Sequence, residues 1–233
     1  VVQNAAFRTA VHNTAVFSAI AVPLAVVLSL LLAIVLESKL PFRSQFRTFF
    51  LSPMMVPVAS IVLIWQVLFH YNGAVNDLLG VFGVEKIDWL KSSYSIIVIV
   101  ILFLWKNLGY NMILFMAALQ SIPTDILEAA RIDGASTGQI FKYIQIPAIM
   151  LMVDFVLFDN IRGALQVFDI PFVMTAGGPG YASSTFTLYT IKTAFTFSNF
   201  GLAATMAVAI MLMIVIIYVI QNKIIHGLVL RDK

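Results

Sequence analysis

Apolar residues follow one another along this chain in blocks far longer than a soluble fold uses. Five blocks reach the roughly 20 apolar residues that cross a bilayer as a helix. They run from about His12 to Leu36, Thr48 to His70, Tyr94 to Leu119, Pro147 to Phe168 and Phe200 to Gln221. Each is apolar on every face, which argues against barrel strands, where apolar and polar residues alternate. The pattern changes between the third and fourth blocks. Over residues 121–147 it predicts a helix, a tight turn and a second helix. Pro123, Thr124 and Asp125 suit a helix start, with Glu128 placed to close a capping box on Asp125. Gly134 ends that helix. Ser136 and Gln139 form a second box, opening a helix predicted to reach Ile146, and Pro147 starts the next block.

Composition supports the pattern. Of 233 residues, 61% are hydrophobic and 11% are charged, whereas a soluble domain carries roughly 25% charged residues. The chain therefore reads as an all-α, polytopic membrane helix bundle with five spans. It contains no cysteine, which excludes disulfides, thiolate catalysis and cysteine-bound metal. The net charge of +3 fits basic loops on one side of a membrane better than nucleic-acid binding. Lys39, Arg43, Arg47, Arg131, Lys142, Lys223, Arg231 and Lys233 fall on one side, and Arg8, Lys86, Lys91 and Lys192 on the other. The side with more basic residues is predicted to be cytoplasmic, which puts the N-terminus outside and the C-terminus inside. An external start without a leader segment raises the expectation of one more helix upstream. A signal peptide cleaved before Val1 is the alternative. Pro53 and Pro57 in the second block predict either a packing kink or a broken helix beside a pathway.

The loop 121–147 has the character of a docking element. Ala129, Ala130, Gly134 and Ala135 carry little side chain and allow another backbone to approach. Glu128, Arg131 and Asp133 supply charge nearby. An ordinary amphipathic connector is the plain alternative. Polar residues within spans are expensive and face the bundle interior or water. In the third span Phe103, Lys106, Asn107 and Tyr110 share one helix face. In the fourth, Asp159 and Arg162 are spaced to pair, and Asn160 and Gln166 are weaker pathway candidates. Lys106 either meets an anionic group on a solute or pairs with Asp154 or Asp159. Ala176-Gly-Gly-Pro-Gly180 reads as a turn. His12, His70 and His226 have no metal-ligand spacing.

The pattern Glu128-Ala-Ala-x-x-Asp133-Gly134-Ala135, followed by Phe141, Ile144 and Pro147, resembles the EAA loop of binding-protein-dependent ABC importer permeases. Ala118-Leu-Gln-Ser-Ile-Pro123, Phe168-Asp169, Thr175-Ala-Gly-Gly-Pro-Gly180, Ala194-Phe195, Gly201-Leu-Ala-Ala204, Asn13-Thr14 and Phe42-Arg43-x-x-Phe46-Arg47 are similar to the sugar-importer branch, of the maltose and glycerol-phosphate type. The resemblance covers essentially the whole chain and implies one permease domain over residues 1–233, in a family that normally has one more helix upstream. It implies a heterodimeric partnership with a second permease subunit, two ATPase subunits that bind ATP and Mg, and an extracytoplasmic solute-binding protein. The implied setting is the cell membrane of a prokaryote, and the implied cargo is a carbohydrate or polyol derivative. Glu128, Ala129, Ala130, Asp133 and Gly134 would then sit on the coupling helix that enters the ATPase, and the Phe103–Tyr110 stripe would correspond to the substrate-contacting helix. No Gly-x-x-x-x-Gly-Lys-Ser/Thr occurs, so nucleotide chemistry is expected on a partner and no cofactor is expected in this chain. The EAA pattern alone also allows an amino acid, peptide or anion as solute. A membrane-embedded enzyme or a stand-alone channel is disfavoured: there is no His-Glu-x-x-His or Gly-x-Ser-x-Gly, and a channel needs no docking loop.

Overall fold

A computed structural model describes residues 4–37 and 42–229, all helix and connection with no strand among them. Lys39, Arg231 and Lys233, counted above among the basic residues, lie outside the described residues. The chain forms α1 (Ala5–Glu37), α2 (Arg43–Met55), α3 (Val58–Leu68), α4 (Ala74–Val81), α5 (Ser95–Gln120) and α6 (Thr124–Ile132). A composite segment follows, made of α7 (Thr137–Ile140), a wide π turn (Phe141–Gln145) and α8 (Ile146–Ala148). The chain closes with α9 (Met150–Leu165), α10 (Asp169–Thr175), α11 (Phe186–Phe195) and α12 (Phe200–Val229). Three of these, α1, α5 and α12, are long and apolar enough to cross a membrane unbroken. Two further crossings are available if each bent pair counts as one span: α2 with α3, bent by 102°, and the 137–148 segment with α9–α10, bent by 67°.

Two stacked apolar clusters fix the direction of each element. The first joins Phe17, Ile61, Val98, Phe103, Ala164 and Ile170. The second joins Ala33, Leu36, Met112, Phe115, Leu119, Ile149 and Val156, with Phe50 packed against it. Reading the residue numbers through the two clusters, α1 and α5 run one way, while α2–α3 and α9–α10 run the other. A third cluster of Ala10, Phe186, Tyr189, Met206 and Ile210 aligns α12 with α1. Five successive crossings, with each bent pair taken as one, would require this alternation.

The break between α2 and α3 falls at Pro57 and not at Pro53. Proline forces the preceding residue out of the helical region, and Val56 is extended at φ −92°, ψ 135°. Pro53 stays inside α2. Its missing N–H would orphan the Phe49 carbonyl, which instead accepts from the Ser52 hydroxyl at 2.8 Å. A neighbouring hydroxyl that takes over a freed backbone group is what lets a buried helix carry proline.

The connection between α3 and α5, which carries no long apolar run, is a folded cap built on Asn76, only 1% exposed. Its amide donates to the carbonyls of Tyr71 and Ile87 at 2.9 and 2.7 Å and accepts from Ile87 N–H and Trp89 Nε1 at 3.2 and 2.9 Å. All four hydrogen-bonding positions of the amide are filled.

At Gly109 the backbone of α2 crosses α5 closely. A Cβ placed on Gly109 would lie 1.9 Å from the Phe50 carbonyl oxygen, a backbone atom that cannot move aside. Gly109→Ala is therefore expected to destabilise the protein by about 1–3 kcal/mol through overpacking. Gly201→Ala, with open space around its site, should be close to neutral. Thermal unfolding of the purified variants in detergent micelles checks both.

Candidate functional site

The loop between α5 and α9 is set by local rules. Its first anchor is Gln120 at the end of α5. With its amide oxygen turned toward α2, it accepts from Arg43 and Arg47 at 3.1 and 3.3 Å. Ile122 then tucks into the second apolar cluster. Pro123 is the N-cap of α6, and no side chain caps that helix, so the predicted box between Asp125 and Glu128 does not form. Proline has no side-chain acceptor, and the helix starts two residues earlier than that box requires. Asp125 still lies in the first turn and Arg131 in the last, where each sign of charge suits the helix dipole.

Helix α6 ends in a Schellman motif. Gly134 N–H bonds the Arg131 carbonyl at 3.1 Å and Ala135 N–H bonds the Ala130 carbonyl at 3.0 Å, with Gly134 left-handed at φ +81°. This is the geometry for which glycine is selected. The second predicted box is present: Gln139 N–H reaches Ser136 Oγ at 3.4 Å and Ser136 N–H reaches Gln139 Oε1 at 2.8 Å. The following helix passes Ile146, but as a π turn, because Pro147 has no N–H to give to the preceding turn.

No residue of α6 is buried. Glu128, Ala129, Asp133 and Gly134 are exposed and Ala130 is half-buried. Ile132 is 86% exposed and Ile126 49%. Apolar side chains of this size at the tip of a charged loop lower the free energy when another surface covers them. Beside them lies an open concavity of about 350 Å³ lined by Asp133, Gly134, Gln139, Ile140 and Tyr143.

The polar residues within the bundle separate into different settings. Lys106 pairs with Asp169 at the start of α10, Nζ to Oδ2 3.4 Å, with the two side chains 30% and 47% exposed. This corrects the expected partner. Asp159 is held by Arg162 at 2.7 Å, as their spacing predicts, and Asp154 bonds Gln221 of α12. Lys106 lies about 16 Å along α5 from Ser95 at 1.5 Å per residue, close to the middle of that helix. Asn107 and Tyr110 are half-buried on the same side. The Asn107 amide donates back to the Phe103 carbonyl at 2.8 Å. Phe103 itself faces the core, edge-on to Phe17 at 5.3 Å, with the site of Gly163 in van der Waals contact. Asn160 is 3% exposed. It exchanges two hydrogen bonds with Asn111, both 3.1 Å, and donates a third to the Val156 carbonyl at 2.8 Å. Asn111 lies four residues after Asn107 and is one of the few polar groups in that helix, but no spacing rule links it to Asn160, 49 residues away.

The segment after α10 is a tied turn. Ala176 and Gly177 are left-handed and Gly178–Pro179 is cis. Ser183 Oγ meets Thr175 Oγ1 at 2.6 Å and the Gly178 carbonyl at 2.8 Å. Asn13 of α1 donates to the carbonyls of Tyr181 and Ser184 at 2.8 and 3.1 Å. Gln66 of α3 donates to Val173 and Met174 at 2.9 and 2.8 Å. Lys192 donates to the Ala176 carbonyl.

A bundle of alternating apolar helices, two of them bent, with an exposed helical loop at one end is the architecture of a membrane transport component. The fold matches that of a bacterial ABC transporter importing the acidic polysaccharide alginate, with a TM-score of 0.88 at 19% identity over 97% of this chain and 81% of the other. An amino acid ABC transporter gives a TM-score of 0.58 at 17% identity. Residues 10–228 match the model of the binding-protein-dependent transport system inner membrane component family, and the chain belongs to that family. It is 34% identical to the lactose transport system permease protein LacF of Rhizobium radiobacter, over 92% of this chain and 74% of that protein. It is 37% identical to the trehalose/maltose transport system permease protein MalF of Thermococcus litoralis, over 65% of this chain and 50% of that protein. With the sulfoquinovosyl glycerol transport system permease protein SmoG of Agrobacterium fabrum the identity is 34%, over 68% and 52%. The chain thus spans between half and three quarters of these relatives' lengths.

The Asn111–Asn160 pair carries a testable energy. Asn111→Leu alone strands a buried amide and should cost about 1–3 kcal/mol. Asn111→Leu with Asn160→Leu removes both polar groups and should cost clearly less than the sum of the two single changes. A double-mutant cycle of thermal stabilities in micelles measures the coupling.

Proposed function

We propose that this chain is a permease subunit of an ATP-driven importer that takes up a carbohydrate delivered by an extracytoplasmic binding protein. It would work in a heterodimer with a second permease and on two ATPase subunits that bind ATP and Mg. Supporting this reading are the family membership and the lactose, trehalose/maltose and sulfoquinovosyl glycerol systems in which its relatives serve. The reading treats residues 1–233 as one transport domain of a prokaryotic cell membrane, crossing it five times, with the loop 121–147 and the C-terminus in the cytoplasm. Glu128, Ala129, Ala130, Asp133 and Gly134 then form the surface received by the ATPase.

The observation that carries the solute route is the half-exposed Lys106–Asp169 pair near the middle of α5. Charged groups there do not face lipid; they face a water-filled cavity or another protein surface. Lys106, Asn107, Tyr110 and Asp169 offer donors and acceptors together, the set that binds hydroxyl groups. Because Asp169 balances the ammonium, the pair has no net charge and suits a neutral polyhydroxylated solute better than an anion. Phe103 and Asn160, both buried, support the walls of this route. An anion is the second reading, favoured by a lysine at this depth if a solute group displaces the 3.4 Å contact.

The test is uptake and ATPase stimulation by the assembled complex in proteoliposomes, with binding proteins loaded with neutral sugars, acidic sugars or amino acids. Neutral sugars should stimulate; stimulation by an amino acid alone would refute the reading. Lys106→Met should lower uptake by about tenfold or more, the worth of a hydrogen bond to a charged group. Asp169→Asn should leave Lys106 unbalanced and shift preference toward acidic sugars in the same panel.

Gly134→Val forces a branched side chain to φ +81° and should unmake the α6 end. Glu128→Lys inverts the exposed charge. Both variants should insert in the membrane at normal levels, seen by immunoblot of membrane fractions, and lose ATP-driven uptake. Full uptake by either one counts against the docking role.

A further inference from the structure

The path out of the loop leads to one helix. The 137–148 segment meets α9 at the 67° bend, around Ile149, which is 2% exposed in the second cluster. Five residues later Asp154 meets α12. Gln221 Nε2 donates to the Asp154 carbonyl at 2.8 Å and to its carboxylate Oδ1 at 2.6 Å. Gln221 is 7% exposed, and its own Oε1 is buried without a partner. Leaving an acceptor unmet is costly, so the amide is held here by what its nitrogen binds.

Packing around α12 is light. Only 17% of the apolar window of α12 is buried, against 39% for α1 and 44% for α5. The ring pair Phe158–Tyr218 touches at 5.0 Å, but an unfilled apolar groove of about 250 Å³ runs between the same two helices, lined by Leu157, Ile161, Ile217 and Ile224. Apolar contacts between lipid-bathed helices are weakly directional, because lipid tails offer similar contacts. Two hydrogen bonds from one amide fix both rotation and register. One residue of slip on α12 turns Gln221 by about 100° and ends them.

We propose that the Asp154–Gln221 tie makes α9 and α12 one moving body, so that displacement of the 137–148 segment is delivered to α12, with Asp154 and Gln221 as positioning residues. This rests on the reading of the chain as an ATP-driven permease subunit. The two-state element is the α9–α12 pair with the bend at Ile149 as its hinge. The tie extends the reach of the loop to the one long helix that the two stacked clusters do not contain.

The test uses the full complex in proteoliposomes and the absence of cysteine from this chain. Phe158→Cys with Tyr218→Cys allows α9 and α12 to be joined by a short bifunctional methanethiosulfonate reagent. The unbridged complex is measured first. ATP-driven uptake by it bears on the permease reading, and the bridge then bears on the tie alone. Bridging should leave uptake at the unbridged rate. Asp154→Leu with Gln221→Leu should keep ATP hydrolysis while solute moved per ATP falls by roughly tenfold, the size of a typical coupling between sites, and the bridge should restore it. Asp154→Asn should remain coupled, because its amide oxygen still accepts from Gln221. Uptake stopped by the bridge while ATP hydrolysis continues would mean that α9 and α12 slide past each other, and the proposal fails. It fails equally if the double leucine variant transports with unchanged solute per ATP.

Discussion

A polar group at membrane depth has no water to fall back on, so leaving it without a partner inside the protein is costly. That constraint organises this chain together with apolar packing. Apolar clusters decide which helices are neighbours and which way they run. Polar ties decide the register. Ser52 takes the carbonyl that Pro53 abandons, Asn111 and Asn160 close on each other between α5 and α9, and Gln221 holds Asp154 between α12 and α9. Thr14 Oγ1 receives Phe186 N–H at 2.8 Å and Thr185 Oγ1 reaches the Val167 carbonyl at 2.7 Å, fixing α11 to α1 and to the end of α9. Against this background two pairs that are satisfied yet half-open, Lys106 with Asp169 and Arg162 with Asp159, stand apart. Their setting calls for water or a second protein surface, and Lys106 joins α5 to α10 where Arg162 only pairs within α9.

Two of these ties meet on α9. Asn160 binds it to α5 and Asp154 binds it to α12, while its N-terminal end continues from the loop through a bend. In the proposed reading that placement lets α9 carry motion as a rigid element. The loop presents an exposed helix, α6, between the Gln120 anchor at the end of α5 and a glycine turn followed by a capping box.

Much of this was legible in the sequence wherever the cause was local. Apolar runs located the long helices because lipid demands about 20 such residues in a row. Gly134, Ser136 and Gln139 announced the turn and the second helix because capping depends on residues three or four apart. The Asp159–Arg162 pair followed from helix spacing. What lay beyond reading depended on distant partners: Asp169 is 63 residues from Lys106 and Gln221 is 67 from Asp154. No spacing rule spans such gaps. The short helices α4 and α11 lack long apolar runs, and α4 stands on one buried asparagine whose bonds go to residues up to 13 positions away. Gly109 looked like any glycine in a span until α2 crossed it. Two prolines four residues apart in one run gave no sign of which breaks the helix; the helix continues through Pro53, where Ser52 takes the freed carbonyl.

In the proposed reading the face of α5 that carries Lys106, with Asp169 of α10 paired to it, borders a water-filled solute route. In the assembled complex, Asn107→Cys and Tyr110→Cys should react with a charged, membrane-impermeant methanethiosulfonate reagent and be protected by transported solute, while Phe103→Cys, buried on the core side, stays unreactive. Thiols at 107 and 110 that remain unmodified in every nucleotide state of the complex would contradict the account.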